Sequence, residues 1–394
     1  MLFAVAPMAS AALPGKNGRL LFDYQPRSSV PFEAGLRTIN PDGSSIERAS
    51  EFSSYKGNAR FTPDGRSLIY GDWPIGDGVN DRGLFSESLT DGSRSLIWEI
   101  PDLLFYQPIS VSPDATKMIL THFDAFCDTR ECETMTVDPA NGIYLHYLTK
   151  KSTLKIAAGK AVYPRETIFS PDGRKIAFVS TDEPQGGEGT TIYTANLDGT
   201  SRRKVLAGAR GVSGLSFSPD GRDIAYSSDG QISSVSVKSG KVRQLTSGAI
   251  SSGPAYSPDG TRIAFSRADS ASGFIDGDVW TMARDGSNAK PLVANVGSES
   301  LLDWSRAEPF RIVRYNRKKS LVVVRTWGPG RVSVRGPKIA FRSRAIVRSG
   351  IVRVAVTPRA RVRMKAGAKV KTFVRFAPNG ALPSVKKRFV RLGR

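Results

Sequence analysis

The tetrapeptide Ser-Pro-Asp-Gly, or a close variant, recurs down most of this chain, and each copy runs straight into a short apolar strand pattern. It reads Phe-Thr-Pro-Asp-Gly-Arg-Ser-Leu-Ile-Tyr at 61–70 and Phe-Ser-Pro-Asp-Gly-Arg-Lys-Ile-Ala-Phe at 169–178. It returns as Phe-Ser-Pro-Asp-Gly-Arg-Asp-Ile-Ala-Tyr at 217–226 and Tyr-Ser-Pro-Asp-Gly-Thr-Arg-Ile-Ala-Phe at 256–265. A drifted copy at 111–120 carries Ala115 where the others have Gly. A period of roughly 40–58 residues belongs to a propeller or another stacked array.

Each copy has the chemistry of a hairpin turn. Pro presets φ, Asp bonds its own backbone, and Gly accepts a positive φ without steric cost. Ile176 and Phe178 then face one way and Ala177 the other, as suits a sheet packed on both faces. A further strand and a second Asp-Gly turn follow, as in 191–199, 278–286 and 84–92. A short last strand such as 242–246 completes the unit. Four antiparallel strands per repeat make a propeller blade.

Five blades open with the turn motif, near residues 59, 109, 167, 215 and 254. Ahead of them, residues 18–24 read as a second strand that lacks its first. Ser300-Leu-Leu-Asp-Trp-Ser305 reads as an opening strand with no turn after it. The last strand is therefore expected to complete the first blade, which closes a ring of six and removes both exposed sheet edges. These repeats resemble the WD40-like repeats of the TolB family of bacterial periplasmic and secreted six-bladed propellers. Similar blades also occur in prolyl oligopeptidase-like enzymes. The resemblance covers residues 16–307 and implies a binding scaffold without naming its ligand.

Composition breaks near residue 308. From Pro309 to Arg394 there are 25 Lys and Arg and no Asp or Glu; the remainder holds 32 against 36, a net of −4. The basic segment still alternates with period two: Val332 and Val334 fall on one face, Arg331, Ser333 and Arg335 on the other. Residues 351–356 and 359–365 repeat the pattern, and Gly and Pro breaks punctuate it. Residues 308–394 therefore read as a small Ig-like β-sandwich of six or seven strands, apolar inside and cationic outside. The expected fold is all-β, a six-bladed propeller followed by this sandwich. The segment resembles a β-sandwich domain at the C-terminus of many secreted actinobacterial proteins, which implies an exported, envelope-associated setting. Arg331, Arg335, Arg342, Arg344, Arg353, Arg359, Arg361 and Arg363 are the candidate polyanion-binding residues.

Residues 1–15 read as the remnant of a signal peptide without its basic start, because Ala9-Ser10-Ala11 fits an Ala-x-Ala cleavage site. A secreted or cell-envelope location follows as an expectation. No stretch approaches the length of a transmembrane helix. The two cysteines, Cys127 and Cys132, share one loop, where a local disulfide is the expectation for an exported chain; free thiols and a metal site stay open.

No nucleophile elbow, Walker loop or HExxH pattern occurs. His122 and His146 are the only histidines and read as partly buried strand residues. Asp72, Asp77, Asp81, Asp182, Glu183, Glu188, Asp276 and Asp278 fall at one place in three blades. They could bind Ca²⁺ as rim ligands, or be solvated hairpins. Asp64, Asp114, Asp172, Asp220 and Asp259 recur with the turn and are structural. The third blade, 109–150, departs from the pattern and could be a binding edge or ordinary drift.

The function these readings favour is a monomeric, non-enzymatic exported scaffold without cofactor. Its propeller would bind a protein or peptide, and its basic domain an anionic envelope polymer. A nucleic-acid-binding module through the basic domain is the second class. It is less favoured because the tail has few aromatics and an export signal is read at the N-terminus. A propeller-based carbohydrate-active enzyme is the third.

Overall fold

The computed structural model describes residues 12–26, 34–50, 59–72, 83–99, 110–122, 125–127, 135–137, 141–148, 150–156, 163–181, 189–268, 277–293, 298–308, 310–316, 320–326, 330–346, 350–357, 368–378 and 384–391. Every regular element among them is a strand.

Six antiparallel sheets of four strands form the blades of a propeller. The first blade sets Ser298–Glu308 beside Lys16–Gln25, then Gly35–Ile39 and Glu47–Arg48. Leu20 pairs with Trp304, Phe22 with Leu301 and Tyr24 with Glu299, so the far end of the propeller supplies the first blade's innermost strand. The blade that begins at Arg60–Phe61 is the second. The third begins at Ser110–Val111, the fourth at Tyr163–Phe169, the fifth at Ser213–Phe217 and the sixth at Ile250–Tyr256.

The two-residue alternation after each turn explains how blades stack. In the fourth blade, Ile176 and Phe178 join Ile119 and Leu145 of the third. Ala177 and Val179 face the other way and pack with Leu215 and Ile224 of the fifth. One strand thus feeds two cores, and apolar side chains fill the boundaries on both sides of the fourth blade.

Polar ties cross those boundaries at one recurrent place, two residues before the turn Ser. Asp303 Oδ2 accepts from Phe61 N–H at 3.0 Å, Ser110 Oγ from Phe169 N–H at 3.2 Å, and Ser216 Oγ from Tyr256 N–H at 3.0 Å. The turns are built as their residues require. Ser170 Oγ donates to Asp172 Oδ1 at 2.6 Å, and Arg174 N–H donates to the same oxygen at 3.1 Å. Ala115 takes φ 53° where its counterpart Gly173 takes φ 68°, so the drifted copy keeps the turn's backbone shape.

The third blade differs in one respect from the sequence reading. The stretch that holds the cysteines, expected as a loop, contains a two-stranded hairpin, Ala125–Cys127 with Met135–Val137, inserted between the blade's middle strands. Cys132 lies outside the described residues, and so does any disulfide with Cys127.

After Glu308 the chain builds two further sheets. Phe310–Asn316, Leu321–Thr326 and Gly350–Ala355 form one of three strands. Ile339–Ile346, Gly330–Gly336, Lys369–Pro378 and Ser384–Arg391 form one of four, in that spatial order. Val324 and Val354 of the first pack with Val332, Val334, Val374 and Phe376 of the second in a single apolar core. Among the described residues this is a β-sandwich of seven strands. The strand pattern read at 359–365 lies outside the described residues.

Candidate binding surfaces

The four-stranded sheet of the sandwich buries Val370, Thr372, Val374 and Phe376 and turns the alternate positions outward. Its register arranges those outward side chains in rows. Arg335 lies opposite Phe373, and Phe373 opposite Lys387. A bulge in the edge strand sets Ala340 and Phe341 together opposite Arg335. The next row pairs Lys371 with Phe389. Cations and phenyl rings are therefore interleaved over one sheet face. Lys371 Nζ sits 5.3 Å from the centre of the Phe373 ring, and Lys369 and Lys387 hold their ammonium groups 5.2 and 5.6 Å from that of Phe389. Phe389 is 55 % exposed and Phe341 61 %. With no acidic residue beyond Glu308, nothing in the sandwich sequence neutralises this charge.

The candidate polyanion residues do not share one face. Arg331 and Arg335 lie on the outer face just described. Arg342 and Arg344 sit on the edge strand opposite Val334 and Val332, exposed at the rim of the core. Arg353 is exposed on the three-stranded sheet, between buried Val352 and Val354. Arg359, Arg361 and Arg363 lie outside the described residues. Sequence reasoning passed over Lys369, Lys371, Arg375 and Lys387, which lie on the same face as Arg331 and Arg335. It also counted the tail's aromatics as few and assigned none of them to this face. The signal was present: Phe373 shares its strand parity with Lys371 and Arg375, not with Val374.

In the propeller the innermost strands carry buried charge. Arg60 is fully buried; its Nη1 donates to the Ala59 carbonyl at 2.7 Å, and its Nη2 finds no acceptor among the described residues. Burial lowers its pKa, opposed by the fields of Asp303 and Glu166. Glu166 accepts from Leu215 N–H at 2.7 Å and Gly214 N–H at 2.8 Å. Burial nevertheless pushes its carboxyl up to about 7. Arg306, whose Nε donates to the Pro63 carbonyl at 2.6 Å, is lowered by burial to about 10. Arg60, Asp303 and Arg306 line a cavity of about 30 Å³, room for one water-sized group.

The N-terminal segment lies across the turn end of the propeller. Ala12 N–H donates to the Phe217 carbonyl and Gly15 N–H to the Pro258 carbonyl. Beside it, Pro14, Asp172, Lys175, Asp220 and Val237 line a groove of about 340 Å³. Arg284 of the sixth blade reaches Asp223 at 2.6 Å and Asp220 at 3.2 Å in the fifth.

The histidines are more deeply buried than the sequence led us to expect. His122 is wholly enclosed, and His146 stacks on Trp98 at 4.6 Å and meets Thr153 Oγ1 at 2.9 Å. Neither lines a groove described above. Of the rim acids, Asp72 ends one strand and Asp278 begins another. Asp77, Asp81, Asp182, Glu183, Glu188 and Asp276 lie outside the described residues. Among the described residues no three His, Cys, Asp or Glu side chains gather as metal ligands would.

Comparison with known proteins agrees with this geometry. Residues 129–308 match the family model of the TolB beta propeller domain. The structure of TolB from Acinetobacter baumannii superposes with a TM-score of 0.58 at 19 % identity, over 75 % of this chain and 68 % of that one. A protein of Agrobacterium tumefaciens given the name TolB superposes at 0.51 and 19 % identity, over 73 % and 93 %. A chain of the nidogen–laminin complex reaches 0.52 at 12 % identity, over 73 % and 98 %. At these identities the likeness is one of fold. No curated protein matches the chain.

Proposed function

We propose that this chain is an exported, non-enzymatic binding scaffold with two parts, a propeller over 16–307 and a basic sandwich over 308–394. The propeller engages a protein or peptide on one of its faces. The sandwich holds an anionic polymer of the cell envelope. One observation carries the reading: all the net positive charge sits in the sandwich, beside a propeller that is mildly acidic. A surface with many cations and no acids attracts polyanions strongly at low salt. The likeness to TolB structures supports the propeller as a scaffold, and the Ala-x-Ala site at 9–11 supports export.

The test titrates the full chain with a teichoic-acid-type wall polymer and with duplex DNA, each against salt. Wall polymer bound more tightly than DNA of equal charge supports the proposal. Preference for DNA, or recovery of the chain from the cytoplasmic fraction of its own cells, overturns it.

A further inference from the structure

Resting on the polymer-binding reading above, we infer that the outer face of the four-stranded sheet takes an acidic polysaccharide, a polymer whose unit is a sugar ring bearing a carboxylate. Charge alone does not account for this face. Cations suffice to hold a polyphosphate, yet Phe341 and Phe389 are more than half exposed among them. A large apolar side chain held in water forgoes the gain of burial, so an exposed ring on a cationic face points to a ligand with an apolar side.

A pyranose fits both demands. Its C–H face is apolar and its rim is polar, so a sugar laid on Phe389 buries the first and presents the second. Lys369 and Lys387 already hold their ammonium groups over that ring, and Lys371 sits in the paired position beside it. A carboxylate on the sugar's edge lies within reach of all three. Lysines suit this task, being point charges on flexible stems rather than fixed forks. Phe373, between Arg335 and Lys387, offers a second platform one strand away. Same-face positions stand about 7 Å apart along a strand and about 5 Å across neighbouring strands, the scale of single sugar rings.

Two other occupants fit less well. A bilayer needs its rings to protrude together, and Phe373 is half-buried between the exposed Arg335 and Lys387. Single-stranded nucleic acid also stacks on aromatic side chains beside cations. It is not the polymer an exported protein meets in the envelope. Among the described residues the three-stranded sheet carries Arg325 and Arg353 outward, and the exposed apolar side chain paired with Arg325 is Ile351, not a ring.

The experiment measures binding of the full chain to polygalacturonate, inorganic polyphosphate, a dT oligonucleotide and phosphatidylglycerol vesicles. The variants are Phe373→Leu/Phe389→Leu, which keeps apolar bulk but loses the flat rings, and Phe373→Tyr/Phe389→Tyr, which restores them. The leucine pair should lose about tenfold in affinity for polygalacturonate while polyphosphate changes less than about twofold, and the tyrosine pair should recover. Equal loss for both polymers, or no loss for polygalacturonate, overturns the inference. So does ring-dependent binding that is tighter for the oligonucleotide or the vesicles. A wild-type chain that binds polyphosphate and not polygalacturonate refutes this inference alone. A chain that binds no polyanion at low salt refutes the broader reading as well.

Discussion

Asp303 Oδ2 accepts the backbone N–H of Phe61 at 3.0 Å, while its Oδ1 accepts that of Trp304 at 2.8 Å. One carboxylate thus ties the strand that closes the ring to the first blade that opens with a turn motif. It also supplies negative field to the buried Arg60 guanidinium. Asp303→Ala leaves two buried N–H groups unpaired and removes that field, and should cost about 2–4 kcal/mol. Asp303→Asn keeps an acceptor and should recover part of the loss. Urea unfolding midpoints of the three chains decide this. An alanine variant within about 0.5 kcal/mol of wild type, the range of ordinary surface changes, would mean that closure rests on the strand ladder and apolar packing without this carboxylate.

The drifted turn of the third blade gives a second expectation. Ala115 holds φ 53°, a conformation where Gly meets no steric penalty and Ala does. Ala115→Gly should stabilise the chain by about 1 kcal/mol, less what Gly adds to the freedom of the unfolded state. Thermal unfolding reads the difference. A destabilised glycine variant would show that the methyl group packs productively there.

How far the sequence could be read depends on what each feature encodes. The six blades were legible because the turn chemistry and the two-residue alternation act locally. Ring closure was legible because Ser300–Ser305 carries the opening-strand pattern without its turn. The basic sheet face was legible only in part. Arg331 and Arg335 were found from alternation, but the rows joining Arg335, Phe373 and Lys387 depend on register between strands that no single strand specifies. The inward depth of His146 was missed for a related reason: its cover, Trp98, belongs to the neighbouring blade.

Glu166 predicts a dependence on pH. Burial raises its carboxyl from the ordinary 4.5 to about 7, against the two N–H bonds it accepts and the field of Arg60. The folded chain therefore keeps this proton to higher pH than the unfolded chain does. The stability it contributes is full below about 4.5 and is lost as pH rises through about 7, an effect of about 3 kcal/mol at most. Glu166→Gln stays neutral throughout. Its stability relative to wild type should improve between pH 4.5 and 7 and then level off. Unfolding by urea across this range reads the difference, and a constant offset would show that the N–H groups of Gly214 and Leu215 keep the carboxylate ionised.

Charge reversal separates the two faces of the sandwich. Lys371→Glu/Lys387→Glu places two acids beside Phe373 and Phe389, on exposed positions whose strand neighbours are all retained. Folding should be unaffected to within about 0.5 kcal/mol, as for most surface changes. Binding of polygalacturonate to the full chain should fall by at least about tenfold at low salt, and its decline with added salt should become shallower, because fewer ion pairs form on binding. Arg325→Glu/Arg353→Glu makes the same change of net charge on the three-stranded sheet. If a polymer is held by the total charge of the sandwich, the two variants lose affinity equally. If it lies on the face where rings and cations interleave, the first loses most of its affinity and the second little. Parallel salt titrations of the two variants distinguish the cases, since a long-range field responds to net charge whereas a seated polymer responds to where that charge is placed.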